Sequence, residues 1–91
     1  MLKPVRRENE RRELPEIEYE GSEVVLNRDN TEQGNCSITS RQQAVITNVD
    51  GHWYIEDKSS LHTTYVQASH PVELHDGDTI LLGNRLFTFH E

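Results

Sequence analysis

The sequence predicts an all-β domain, and three observations carry that prediction. From Glu23 onward the apolar side chains come as six short β-branched or aromatic runs. Turn residues separate the runs at intervals of about ten residues, the spacing expected of a sandwich or a barrel. No segment sustains the 3.6-residue apolar period of an amphipathic helix.

Residues 1–20 have a different texture from the rest. They hold five basic and six acidic residues, two prolines (Pro4 and Pro15) and few apolar side chains. Residues 6–13 place opposite charges four apart, as a short helix would, but offer no apolar stripe to dock. A charged leader is expected here, flexible or weakly ordered. A short first strand is possible over residues 16–19, where Ile17 and Tyr19 alternate with glutamates. Residues 21–91 make up the domain. Its expected strands are Val24-Val25-Leu26, Ala44-Val45-Ile46-Thr47, Trp53-Tyr54-Ile55, Thr64-Tyr65-Val66, Thr79-Ile80-Leu81-Leu82 and Leu86-Phe87-Thr88-Phe89. Asp50-Gly51 joins the second and third as a two-residue hairpin, whose turn requires positive φ. Asp76-Gly77 and Gly83-Asn84 mark two further reversals. Alternation along the third run puts Trp53 and Ile55 on one face and Tyr54 on the other.

Composition narrows the function. An apolar share of 33% with six aromatic residues supports one modest core. A net charge of −7 argues against nucleic acid, whose phosphates demand a basic surface, and against anionic membranes. The apolar runs are too short for a membrane-spanning helix or a signal peptide. Cys36 is the single cysteine, so no internal disulfide forms, and a reducing, cytoplasmic setting is expected. His52, His62, His70, His75 and His90 lack the close spacing of a structural metal site, and no nucleophile elbow or catalytic triad setting appears. Neither enzyme activity nor a cofactor or metal is expected.

The positive charge within residues 21–91 is sparse and local. Only Arg28, Arg41, Lys58 and Arg85 are basic, against ten acidic residues. The first three lie in stretches rich in Ser, Thr and Asn: Leu26-Asn27-Arg28-Asp29-Asn30, Thr39-Ser40-Arg41-Gln42-Gln43 and Asp57-Lys58-Ser59-Ser60-Leu61-His62-Thr63-Thr64. An arginine's planar fork of donors beside hydroxyls and turn amides suits a phosphate group. The pattern suggests a local anion site in loops.

These same segments, in this order, resemble the forkhead-associated (FHA) domain, a β-sandwich that binds phosphothreonine peptides. Val24-Val25-Leu26-Asn27-Arg28 is similar to the family's strand ending in Gly-Arg. Ser40-Arg41-Gln42-Gln43-Ala44 is similar to Ser-Arg-x-His-Ala. The stretch from Asp57 to Val66 follows Asp-x-x-Ser-x-Asn-Gly-Thr-Phe/Tyr-Val. Leu74, Gly77-Asp78, Ile80-Leu81-Leu82-Gly83 and Phe87-Thr88-Phe89 complete the family order.

The resemblance implies two antiparallel sheets with binding loops at one end and a non-catalytic phosphopeptide-recognition role. It assigns phosphate contacts to Arg28, Ser40 and Ser60, assistance to Arg41, and peptide contacts to the Leu61 main chain and His62. The implied partner is a protein segment carrying phosphothreonine, the product of a Ser/Thr kinase. Lys58 then becomes a neighbour of the site. Three positions depart from the family. Asn27 replaces a glycine, and asparagine tolerates left-handed backbone. Gln43 replaces a histidine but keeps the ability to donate and accept, and so to brace loops. His62-Thr63 replaces Asn-Gly, changing donor reach and disfavouring positive φ. That last departure supports an alternative: a degenerate domain that binds protein partners without phosphate.

Overall fold

The computed structural model of the chain describes residues 1–8, 10–11, 13–60, 64–66 and 71–91. Its strands are β1 (Leu2–Pro4), β2 (Glu23–Leu26), β3 (Ala44–Val49), β4 (His52–Asp57), β5 (Thr64–Tyr65), β6 (Val72–Leu74), β7 (Thr79–Leu82) and β8 (Arg85–Phe89), with one helical turn, α1 (Arg28–Thr31). They form two four-stranded sheets in the orders β1-β8-β7-β5 and β2-β3-β4-β6, and every strand pair is antiparallel. The architecture is the β-sandwich that the sequence predicts.

The inner faces are built by alternation. Leu26, Ala44, Ile46, Ile55 and Leu74 from one sheet meet Leu2, Ile80, Leu82, Phe87 and Phe89 from the other, all buried. Trp53 packs against this core with Ile55, while Tyr54 points the other way, as the alternation requires. The β3–β4 hairpin turns at Asp50 (φ 53°) and Gly51 (φ 84°), and the Asn48 Oδ1 accepts the Gly51 N–H at 3.0 Å.

The leader differs from expectation. Its strand lies at Leu2–Pro4, paired with β8 through Leu2↔Phe89 and Pro4↔Phe87, and Ile17 meets Leu2 only as an isolated bridge. Leu2 and Ile17 are both buried in the core, so two apolar side chains anchor the segment. Pro4, which cannot donate to a ladder, is tolerated in this short strand at the sheet margin. Tyr19 stacks into an aromatic trio, with ring centroids 4.9 Å from Trp53 and 5.6 Å from Phe89. Among the described residues of 6–13 there is no helix, and the Arg6–Glu13 pair is exposed at 3.9 Å, worth little.

Strand register decides which loops meet. Leu26 pairs with Ala44, and Ala44 with Asp57. The end of β2, the start of β3 and the end of β4 therefore lie side by side, and the loops leaving them share one end of the sandwich. The β7–β8 turn reaches the same end: Asn84 N–H donates to Ser37 Oγ at 3.0 Å. A methyl group on Gly83 (φ 59°) would overlap the Ser37 backbone, 2.6 Å from its carbonyl carbon, so only glycine lets the loop before β3 pack so closely.

Candidate functional site

Arg28 opens α1, whose N-cap is Asn27. The Asn27 side chain accepts the Asn30 N–H at 3.0 Å, while the Asn30 side chain accepts the Asn27 N–H at 2.8 Å. Asn27 is extended (φ −143°), so asparagine serves here as a cap and uses none of its tolerance for left-handed backbone. The Arg28 N–H donates to Thr39 O at 2.9 Å, joining its loop to the one before β3. The Arg28 Nε donates to the carbonyl oxygens of Asn35 and Ile38, both at 3.0 Å. Its two Nη groups have no hydrogen-bond or carboxylate partner among the described residues. The guanidinium is thus gripped on one edge and open on the other.

Gln43 ties the loops together. It is fully buried; its Oε1 accepts the Thr39 N–H at 2.9 Å and its Nε2 donates to Thr64 Oγ1 at 2.8 Å. Its carbonyl accepts the Lys58 N–H at 3.0 Å. One side chain therefore spans from the residue before Ser40 to the strand that follows the Ser60 loop, which is the bracing role the sequence allows it. Asp57, also buried, accepts from Ser59 Oγ at 2.7 Å and from Ser59 N at 3.3 Å. Ser59 is thereby committed inward, and Ser60, next along, is exposed.

Ser40, Arg41 and Ser60 are all exposed on these loops, and none has a side-chain partner among the described residues. Leu61 and His62 lie outside the described residues. The fold thus brings Arg28, Ser40, Arg41 and Ser60 to one end. Two cavities, of about 410 and 370 Å³, lie against the N-terminal segment and include none of the four. Among the described residues, no three His, Cys, Asp or Glu side chains gather as a metal site.

The charges sort by partner. Lys58 lies 3.2 Å from Glu56. Arg85, completely buried, donates from Nε to Glu32 at 2.8 Å and from Nη1 to Glu10 at 2.8 Å, and these bonds raise its pKa further above the usual arginine range. Arg28 and Arg41 have no carboxylate within ion-pair distance among the described residues. Of the three cations in the candidate loops, Lys58 is paired, and Arg28 and Arg41 are the two left uncompensated among the described residues.

A family model of the FHA domain matches residues 20–83. The chain belongs to the FHA-domain family. FHA domains are generally phosphopeptide-binding modules of protein interaction and are typically non-catalytic, and this one has the family's sandwich with its loops gathered at one end. No curated protein matches the chain. Sequence reasoning missed the supporting layer of this FHA domain: Asn35, whose carbonyl holds Arg28, and the Glu32–Arg85–Glu10 cluster. Arg85 is the one Lys, Arg, Asp or Glu between Thr79 and His90, a strand-forming stretch, and that is a signal of a buried charge but not of its partners.

Proposed function

We propose that this FHA domain binds phosphothreonine-containing protein segments without catalysis. Arg28 donates both Nη groups to the phosphate, Ser40 and Ser60 supply hydroxyl and main-chain donors, and Arg41 adds charge at the rim. One observation carries the proposal: in a domain with ten carboxylates, Arg28 is held through Nε alone, with its Nη fork unpaired among the described residues. An arginine kept for structure is normally satisfied, as Arg85 is. Charge-assisted bonds to a dianionic phosphate are the natural completion of such a fork. The ligand would be the product of a Ser/Thr kinase, met in the cytoplasm.

The test is a phosphothreonine peptide library titrated against wild type and Arg28→Ala, with the unphosphorylated and phosphoserine counterparts of the best binder. Binding of the phosphothreonine form, lost by at least about tenfold in the variant, is the expected outcome, since a charged hydrogen bond contributes about 1.5–3 kcal/mol. Absence of wild-type binding, or equal binding by Arg28→Ala, refutes it. The His62-Thr63 replacement of Asn-Gly favours a second reading, a phosphate-independent protein-interaction surface. That reading predicts a partner whose affinity is unchanged by phosphatase treatment.

A further inference from the structure

We propose that the N-terminal segment positions Arg28: Arg7 and Glu10, which contact no candidate ligand group, set the orientation of its guanidinium through Asn35. The proposal rests on the assignment of Arg28 to the phosphate. Arg7, Glu10, Asn84 and Arg85 all fall outside the residues matched by the family model, so membership of the family gives them no role.

The orientation of Arg28 depends on where the Asn35 and Ile38 carbonyls stand, because both accept from its Nε. Asn35 belongs to an irregular loop, outside either sheet; its N–H donates to Glu32 O and its carbonyl accepts the Ile38 N–H, both at 3.1 Å, and its side chain adds the ties that reach beyond the loop. Its Oδ1 accepts from Ser37 N at 2.9 Å and from Ser37 Oγ at 2.5 Å, and its Nδ2 donates to Glu32 Oε1 at 2.9 Å and to Asn84 Oδ1 at 2.6 Å. Both amide protons and both acceptor sites of the side chain are used.

Two routes run from Asn35 to the N-terminal segment. Through Asn84, the Arg7 Nη2 donates to the Asn84 carbonyl at 2.7 Å and to its Oδ1 at 3.0 Å. Through Glu32, the Arg85 guanidinium joins Glu32 (Nε to Oε1 2.8 Å, Nη2 to Oε2 2.9 Å) to Glu10 (Nη1 to Oε1 2.8 Å), and its Nη1 also donates to Val5 O at 3.0 Å. Arg85 is fully buried, so its fork and the two carboxylates engaging it form a charge-assisted, geometrically strict junction. Both routes converge on one asparagine, one hydrogen bond away from the phosphate arginine. The segment therefore acts as a strap whose attachment tightens the anion site, and whatever loosens it weakens phosphate binding from a distance.

The experiment uses the full chain with Arg7→Ala and Glu10→Gln, singly and together, and Arg7→Lys as the conservative variant. Substituting Arg85 is avoided, since it threatens folding. The first readout needs no ligand: hydrogen exchange of the Arg28 Nε–Hε group by NMR, its signal assigned by its loss in Arg28→Lys. The second is affinity for the best phosphothreonine peptide of the library. The double variant is expected to exchange Hε several-fold faster and to bind about fivefold to tenfold more weakly, the size of a lost positioning contact. Arg7→Lys, whose ammonium still reaches an acceptor, retains part of the effect of Arg7. Hε exchange or affinity unchanged within about twofold in the double variant overturns the proposal. If wild type binds no phosphopeptide, the functional assignment fails instead, and the exchange readout still decides whether the strap holds Arg28.

Discussion

Replacing Gln43 with alanine tests how far one buried amide organises the binding end. The substitution removes the acceptor of the Thr39 N–H and the donor to Thr64 Oγ1. Thr64 keeps a bond to the Gln43 carbonyl at 3.2 Å, so its loss is partial, whereas the Thr39 amide is orphaned. An orphaned, largely desolvated donor costs about 1–3 kcal/mol. The void left by the truncated side chain adds about 1 kcal/mol. Together they give a loss of about 2–4 kcal/mol, a large share of the about 5–15 kcal/mol typical of a domain. For a chain of this size the thermal midpoint falls by roughly 10–25 °C. Trp53, the only tryptophan, packs on the core beside Tyr19 and Phe89 and reports unfolding by fluorescence in a urea titration. Gln43→His, able to keep one of the two bonds, is expected to lose about half as much. A loss below about 1 kcal/mol in Gln43→Ala refutes the idea that this amide braces the loops.

Gly83→Ala combines positive φ with overlap onto the Ser37 backbone, so it costs more than about 2 kcal/mol; Gly51→Ala, at positive φ but with open space around it, costs about 1 kcal/mol. Thermal midpoints of the two variants rank them, and equal shifts contradict the close-approach account. Tyr19 is held protonated above its usual pKa of 10.0, chiefly by burial, and the His90 backbone lies near its hydroxyl without satisfying hydrogen-bond geometry. A raised folded-state pKa contributes stability that is full below about pH 10 and is lost as pH rises beyond it. Denaturation at pH 9 and 11 should show that decline in wild type and a smaller one in Tyr19→Phe; identical declines contradict it.

The strands legible in the sequence were those whose signal is local. The Val24, Ala44, Trp53, Thr79 and Leu86 runs alternate over four to six residues, and Asp50-Gly51 dictates its own turn. β1 and β6 are three residues each, and the first contains Pro4; their pairing comes from partners far along the chain. The same limit applies at the site. Arg28 and Ser40 were visible through motif order, and Gln43 through its hydrogen-bonding capacity. The partners of Arg85 lie 75 and 53 residues away, and no local pattern encodes such a junction. Asn27 shows a different limit: the sequence suggested backbone tolerance, while the structure uses the side chain as a helix cap.

Met1 and His90 face each other at the far end of the sandwich, the terminal ammonium donating to the His90 carbonyl at 2.7 Å and the His90 N–H to the Met1 carbonyl at 2.8 Å. A short peptide bridge from Glu91 back to Met1 would therefore close the backbone into a ring with little strain. New ends could then open at the Asp50-Gly51 turn, away from the anion loops. In such a permuted chain the strap bearing Arg7 and Glu10 would become an internal connection, tethered on both sides.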